Sequence, residues 1–210
     1  MHRIWMFIVL FVLCPYPTRA LEPIADGAKL PGTIVRSPHG LASVKARLAA
    51  GDAALKAALA NLRKDADNSL RAKPEAVVNK SQVPPSGDKH DYMSLAPYYW
   101  PDPTKPDGLP YVNKDGQFNP ERKTVPDSTV MQRMARNADT LALAYYFTGS
   151  EAYAEHAAVL LRSWFLDPAT RMNPNLNYAQ AIKGRTDGRG SGIIDAIHLV
   201  RVVDSASLLA

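Results

Sequence analysis

Apolar positions recur at helical spacing in three separate stretches of the chain. Between residues 41 and 68, Leu41, Val44, Leu48, Leu55, Leu59 and Leu62 follow one another at three, four and seven residues, with Lys and Arg between them. That is one stripe of an amphipathic helix. Gly51 followed by Asp52 leaves open a break into two helices. From Pro126 to Gly149 the pattern returns, with Val130, Met134, Leu141 and Tyr145 on one face and Met131, Ala138 and Ala142 beside them. Pro126 cannot continue an element from upstream, and Asp127 or Ser128 is placed to cap. Gly149 ends this helix and Ser150 opens the next, where Tyr153, Ala157, Leu160, Leu161 and Trp164 are again helically spaced. Two antiparallel helices on so short a turn make an αα-hairpin. A last apolar stretch, 193–210, reads as a helix that stops at the final residue with its face uncovered, the pattern expected of a chain cut short. No strand pair is evident, and the class predicted is all-α.

Two stretches lack any periodicity. Residues 84–126 hold nine of the seventeen prolines, yet Tyr92, Tyr98, Tyr99, Trp100, Tyr111 and Phe118 lie in the same region. Such aromatic density argues against disorder, and a loop of this length in a folded domain is usually functional. Residues 169–192 are rich in Asn, Arg, Gln and Gly. His39, His156 and His198 stand singly and read as structural, His39 as a turn residue beside Pro38 and Gly40.

The first twenty residues are a segment apart. His2 and Arg3 precede an apolar run from Ile4 to Cys14, and Thr18 and Ala20 fit a signal-peptidase site cut after Ala20. Eleven apolar residues are too few to span a bilayer and right for a signal peptide, with a retained anchor as the second reading. Export to the periplasm or beyond is the expectation. Residues 21–40 then read as an ordered arm, and 41–210 as one domain. Cleavage would remove Cys14, the sole cysteine, so no disulfide and no thiolate chemistry is expected. It would also remove two of the 25 Lys and Arg against 20 acids, leaving a net charge of +3. That permits an acidic polymer as partner without demanding one. No basic run or nucleic-acid motif occurs, so nucleic acid is not expected, nor is a membrane after cleavage. The chain has no HExxH, calcium loop, P-loop or GxSxG elbow, so neither a metal nor an organic cofactor is expected.

The two irregular stretches share one chemistry. The first offers His90, Tyr92, Tyr98, Tyr99 and Trp100; the second offers Asn173, Asn175, Asn177, Tyr178, Gln180, Arg185 and Arg189. Aromatic faces stack on the C–H face of a sugar, amides bond hydroxyls, and arginine grips a carboxylate through two parallel bonds. The bland reading is that the rings only plug the end of a helix bundle. "DKHDYMSLAPYYWPDP" and "NPNLNYAQAIKGRTDGRGSGIID" resemble the alginate-lyase domain of secreted bacterial polysaccharide lyases, from about residue 88 onward. The resemblance implies an incomplete (α/α) toroid of helix hairpins with an acidic polysaccharide, alginate or another polyuronate, lying in its cleft. It implies β-elimination, with Tyr178 and His90 as candidates for proton transfer. Tyr98, Tyr99, Trp100, Asn177, Gln180, Arg185 and Arg189 would bind substrate. The family's Asn-Asn-His motif lies well downstream of "RGSGIID" and is absent here, so the main catalytic residues are expected beyond residue 210. The alternatives are a non-catalytic carbohydrate-binding protein on the same scaffold, or an α-solenoid module. The latter needs about three copies of a ~34-residue repeat where one hairpin is found.

Overall fold

The periodic stretch at 41–68 divides where glycine permits it. In the computed structural model, which describes residues 30–210, α1 spans Pro38–Ala49 and α2 spans Ala53–Ser69. Gly51 turns the chain between them at φ 91°, a conformation side chains resist. Asp52 then caps α2, accepting from the Ala54 and Leu55 N–H groups at 3.1 and 3.2 Å. α1 starts three residues before the apolar stripe because Ser37 accepts from the Gly40 N–H and Pro38 fits the first turn. His39 therefore sits, exposed, in that first turn and not in a loop. The leader assigned to residues 1–20, and 21–29 of the arm, lie outside the described residues.

The hairpin forms as its spacing predicts. α3 (Asp127–Thr148) ends at Gly149, φ 68°, and α4 (Glu151–Phe165) returns against it. α2, α4 and α5 (Val200–Leu209) all pack on α3. Its buried positions cover more than one face, from Val130 through Met131, Met134, Ala138 and Leu141 to Ala144, and its alanines let neighbours approach closely. Trp164 of α4 and Tyr92 complete the core with no exposed surface. His156 has the structural role expected of it, bonding the Ala72 carbonyl through Nε2 at 2.9 Å.

Three expectations need correction. Neither Asp127 nor Ser128 caps α3; Asp127 is the first helical residue and its carboxylate is spent on Lys80 and the Met93 N–H. The apolar stretch from 190 is a run of 3-10 turns to Leu199 before α5 begins, not one helix. Strands do exist, few and short within a mostly helical chain. β1 (Met93–Leu95) pairs in parallel with β4 (Tyr178–Ala181), and β2 (Tyr99–Trp100) pairs antiparallel with β3 (Val112–Asn113). Among the described residues no helix is long and apolar enough to cross a membrane.

The segment before α1 is tied down by one carboxylate. Asp204 of α5, fully buried, accepts from the backbone N–H groups of Ile34, Val35 and Arg36 at 2.7, 3.1 and 2.7 Å. Arg36 also donates to Asp139 of α3 at 2.7 Å. Burial pushes the Asp204 carboxyl up, but the three N–H groups and Arg36 outweigh it and hold it below its usual range. A depressed carboxyl stabilises the fold at pH above its unfolded value, about 3.9, and that gain is lost as pH falls through the folded value. The melting temperature of the wild type is therefore expected to fall below about pH 4 more steeply than that of Asp204→Asn. Parallel curves would show that the carboxylate contributes nothing.

Candidate active site

The parallel pair β1–β4 joins the two irregular stretches. Its register sets Met93 opposite Tyr178 and Leu95 opposite Ala181, with an irregularity between. Gln180 lies within the shifted stretch and is the one non-glycine residue among those described with positive φ, at 51°. A left-handed glutamine is strained, and such strain persists only where its surroundings hold it. Here they do. The Gln180 N–H donates to Ser94 Oγ at 2.8 Å, its Nε2 donates to Asp195 Oδ1 at 3.1 Å, and its Oε1 accepts from Arg189 at 2.7 Å.

Asp195 is the centre of this network. Besides Gln180 it accepts from the Tyr92 hydroxyl at 2.9 Å and from Ser94 Oγ at 2.6 Å. Burial, then the Asp195 charge, pushes the Tyr92 phenol far above its ordinary range, so it stays protonated and donates. Two glycines let this layer close. A Cβ on Gly188 would lie 1.9 Å from the Asn177 carbonyl oxygen, and one on Gly192 would lie 2.5 Å from Ala179 Cβ. Only hydrogen fits at either place.

Above the network opens a cleft of about 510 Å³. Ser94, Gln180 and Asp195 form part of its wall, with Ser128 and Thr129 of α3. Its cations are Arg122 and Lys123, from the 3-10 turn Pro120–Thr124, and Arg133 of α3. Arg133 grips Glu75 through two bonds, whereas Arg122 and Lys123 form no ion pair with a described residue. The Arg122 guanidinium stands 5.2 Å from the Phe118 ring, which steadies it without neutralising it. A cleft with unpaired cations, an amide and several hydroxyls can hold a carboxylated, hydroxyl-rich ligand.

The residues singled out from sequence distribute unevenly around this cleft. Gln180 lines it, and Arg189 is one bond behind, with its guanidinium 5.5 Å from the Tyr99 ring. Tyr99 packs half-buried with Ala96, Tyr111 and Ile182, in the layer beside the cleft. Tyr98 leans on Phe118 with centroids 5.0 Å apart, and Trp100 donates through Nε1 to the Gln117 carbonyl while Lys114 lies over its ring. Arg185 is exposed and donates to the Tyr111 carbonyl. Asn177 is exposed just before β4, and Tyr178 is half-buried at its head; neither lines the cleft. His90 lies beyond the other end of β1, where its Nδ1–H donates to the Arg171 carbonyl at 2.6 Å. Asn173 and Asn175 spend their amides on the buried Asp91 carboxylate at 2.8 and 3.0 Å, which fastens the two stretches together. Ser94, Arg122, Lys123, Ser128, Thr129, Arg133 and Asp195 are polar cleft residues that sequence reasoning missed. Only Asp195 carried a signal, as an acid inside an apolar run.

The model of the alginate lyase family matches residues 76–210, the whole of the cleft included. The chain belongs to the alginate lyase family. Its structure also superposes on the crystal structure of an alginate lyase from Bacteroides ovatus with a TM-score of 0.79 and 44% sequence identity. That match covers 85% of this chain and 47% of the other, so the chain spans about half the length of that alginate lyase. None of the curated proteins matches it.

Proposed function

We propose that the chain is part of a polysaccharide lyase that cleaves alginate or a related polyuronate by β-elimination, and that the cleft above Asp195 holds the uronate. The observation that carries this reading is that Arg122 and Lys123, which form no ion pair with a described residue, share one cleft with the Gln180 amide and the Ser94, Ser128 and Thr129 hydroxyls. β-Elimination needs the uronate carboxylate neutralised so that the adjacent C–H becomes acidic, then a base for that proton and an acid for the leaving oxygen. Arg122 and Gln180 suit the first task. Tyr178 and His90 remain the candidates for proton transfer, although they stand outside the cleft wall. The family membership and the similar alginate lyase support the polyuronate as substrate.

The finer points belong to the same proposal. The helix hairpins are read as part of an incomplete (α/α) toroid, residues 41–210 as its domain, and the protein as periplasmic or secreted behind a signal peptide at 1–20. The proposal is tested by incubating the full-length lyase of which this chain is part with polymannuronate, polyguluronate and a neutral glucan. An unsaturated, ultraviolet-absorbing product is expected from a polyuronate alone, and Arg122→Ala is expected to weaken polyuronate binding about tenfold through loss of one charge-assisted contact. Polymer binding without any new absorbance would favour a non-catalytic carbohydrate-binding protein instead.

A further inference from the structure

A second concavity lies away from the cleft and shares no residue with it. A groove of about 800 Å³ follows the outer face of α2 beside α1. Leu48, Leu59 and Ala60 are its apolar lining, and Lys56, Arg63, Lys64 and Arg71 line it as exposed cations. Positions 56, 59, 60, 63, 64, 67, 68 and 71 are spaced three and one apart, which is one continuous helix face. The groove also contains one acid, Asp67, whose carboxylate accepts from the Tyr153 hydroxyl at 2.7 Å.

Arg36, Arg47, Lys80, Arg133 and Lys183 each carry a carboxylate partner, whereas none of the groove cations forms an ion pair with a described residue. Lys56 to Arg63, and Lys64 to Arg71, are seven residues apart, roughly 10 Å along the axis. Charges strung along about 20 Å of helix suit an extended polyanion and not a compact ion, around which cations would converge. An elongated lining of cations with apolar residues among them is complementary to a polyuronate, with its C–H face and its carboxylates. The groove also lies before residue 76, outside the stretch that matches the family model.

We propose that this groove is a second polysaccharide-binding site, taking an extended stretch of the same polyuronate that the cleft acts on. The inference rests on the polyuronate reading above. Its effect is to convert later encounters of polymer and cleft into intramolecular ones, a gain that a short oligomer cannot share.

The test uses the full-length lyase of which this chain is part, carrying Arg63→Gln/Lys64→Gln/Arg71→Gln, since Gln keeps helix propensity close to that of Lys and Arg. Affinity for long polyuronate is expected to fall about tenfold, with a shallower salt dependence, while product formation from a triuronate is unchanged. The single variant Arg63→Gln is expected to give a smaller loss in the same direction, so a folding defect in the triple variant would not hide the effect. Polymer affinity within twofold of the wild type overturns the groove. So does a loss confined to anionic phospholipid vesicles or duplex DNA. The two proposals fail separately. Polymer retention that depends on the groove, with no product from the wild type, sinks the lyase reading and leaves the groove standing; product with unaltered retention does the reverse.

Discussion

Lys80→Met is expected to destabilise the fold by about 3–5 kcal/mol, the cost of leaving a buried charge without its partner. Lys80 is among the most deeply buried side chains, 2% exposed. Its ammonium lies 2.9 Å from Asp127 Oδ2 and donates to the carbonyls of Val77, Lys89 and Asp91 at 2.8, 2.9 and 2.8 Å. Asp127 in turn accepts from the Met93 N–H at the start of β1, so the pair fixes both the first irregular stretch and the foot of α3. Burial is the leading effect on both groups, lowering the Lys80 pKa and raising that of Asp127. With the lysine gone, the carboxyl is raised further. An acid with a raised folded pKa loses its stabilisation as pH rises through that value, so the deficit of Lys80→Met should narrow as the solution is acidified. Lys80→Met/Asp127→Asn should recover part of the loss at neutral pH, though three carbonyls remain unpaired. Chemical unfolding of the three proteins at neutral and mildly acidic pH checks this. A deficit below about 1 kcal/mol, or one that ignores pH, would show that the pair is not stabilising in the way its burial implies.

The second large effect is expected at Asp195, where stability and binding should fall together. Asp195→Ala leaves the Tyr92 and Ser94 hydroxyls and the Gln180 amide without their shared acceptor. Tyr92 is wholly buried, so its hydroxyl cannot turn to water. A loss of about 2–3 kcal/mol in stability follows from unpaired buried donors that had bonded a charge. The functional loss should be larger than that figure suggests, because the strained Gln180 backbone is held by this network. Once released, it can relax and withdraw its amide from the cleft. Polyuronate affinity is expected to drop tenfold or more, with Asp195→Asn intermediate because it keeps one acceptor oxygen. Asp195→Ala combined with Tyr92→Phe should be less damaging than the sum of the two, by about 0.5–3 kcal/mol, since both remove the same bond. Strict additivity, or a stability loss with unaltered affinity, would show Asp195 to be a packing residue with no hold on the cleft.

How much of this was legible beforehand depends on how local the signal is. The α3–α4 hairpin was readable because its apolar spacing, its glycine stop and its tight turn all fall within forty consecutive residues. The aromatic and amide-rich composition of the two irregular stretches was readable, but of the residues it singled out only Gln180 lines the cleft. The physical union of the stretches was not readable. β1 and β4 are "MSL" and "YAQA", too short to alternate visibly, and parallel strands are joined by no hairpin turn that sequence could reveal. Lys80 in "VVNKSQ" reads as an ordinary surface lysine, because its burial depends on carbonyls brought from Lys89 and Asp91. Asn173 and Asn175 looked like sugar contacts for the same reason: the Asp91 carboxylate that occupies them is more than eighty residues away. Gln180 was chosen for its amide, but nothing in its type announces a left-handed backbone, which glycine or asparagine would normally supply.

The separation that hid the β1–β4 pairing also imposes an order on the folding chain. α3 and α4 meet across two residues and need little chain entropy to do so, whereas Ser94 must find Gln180 across 86 positions. Contacts so distant in sequence are made only after the intervening chain has been gathered, and here what gathers it is the helical hairpin lying between them. The hairpin can therefore exist without the cleft, but the cleft cannot exist without the hairpin. Whatever chemistry the cleft performs is the last property this part of the chain acquires as it folds, and the first it gives up as it opens.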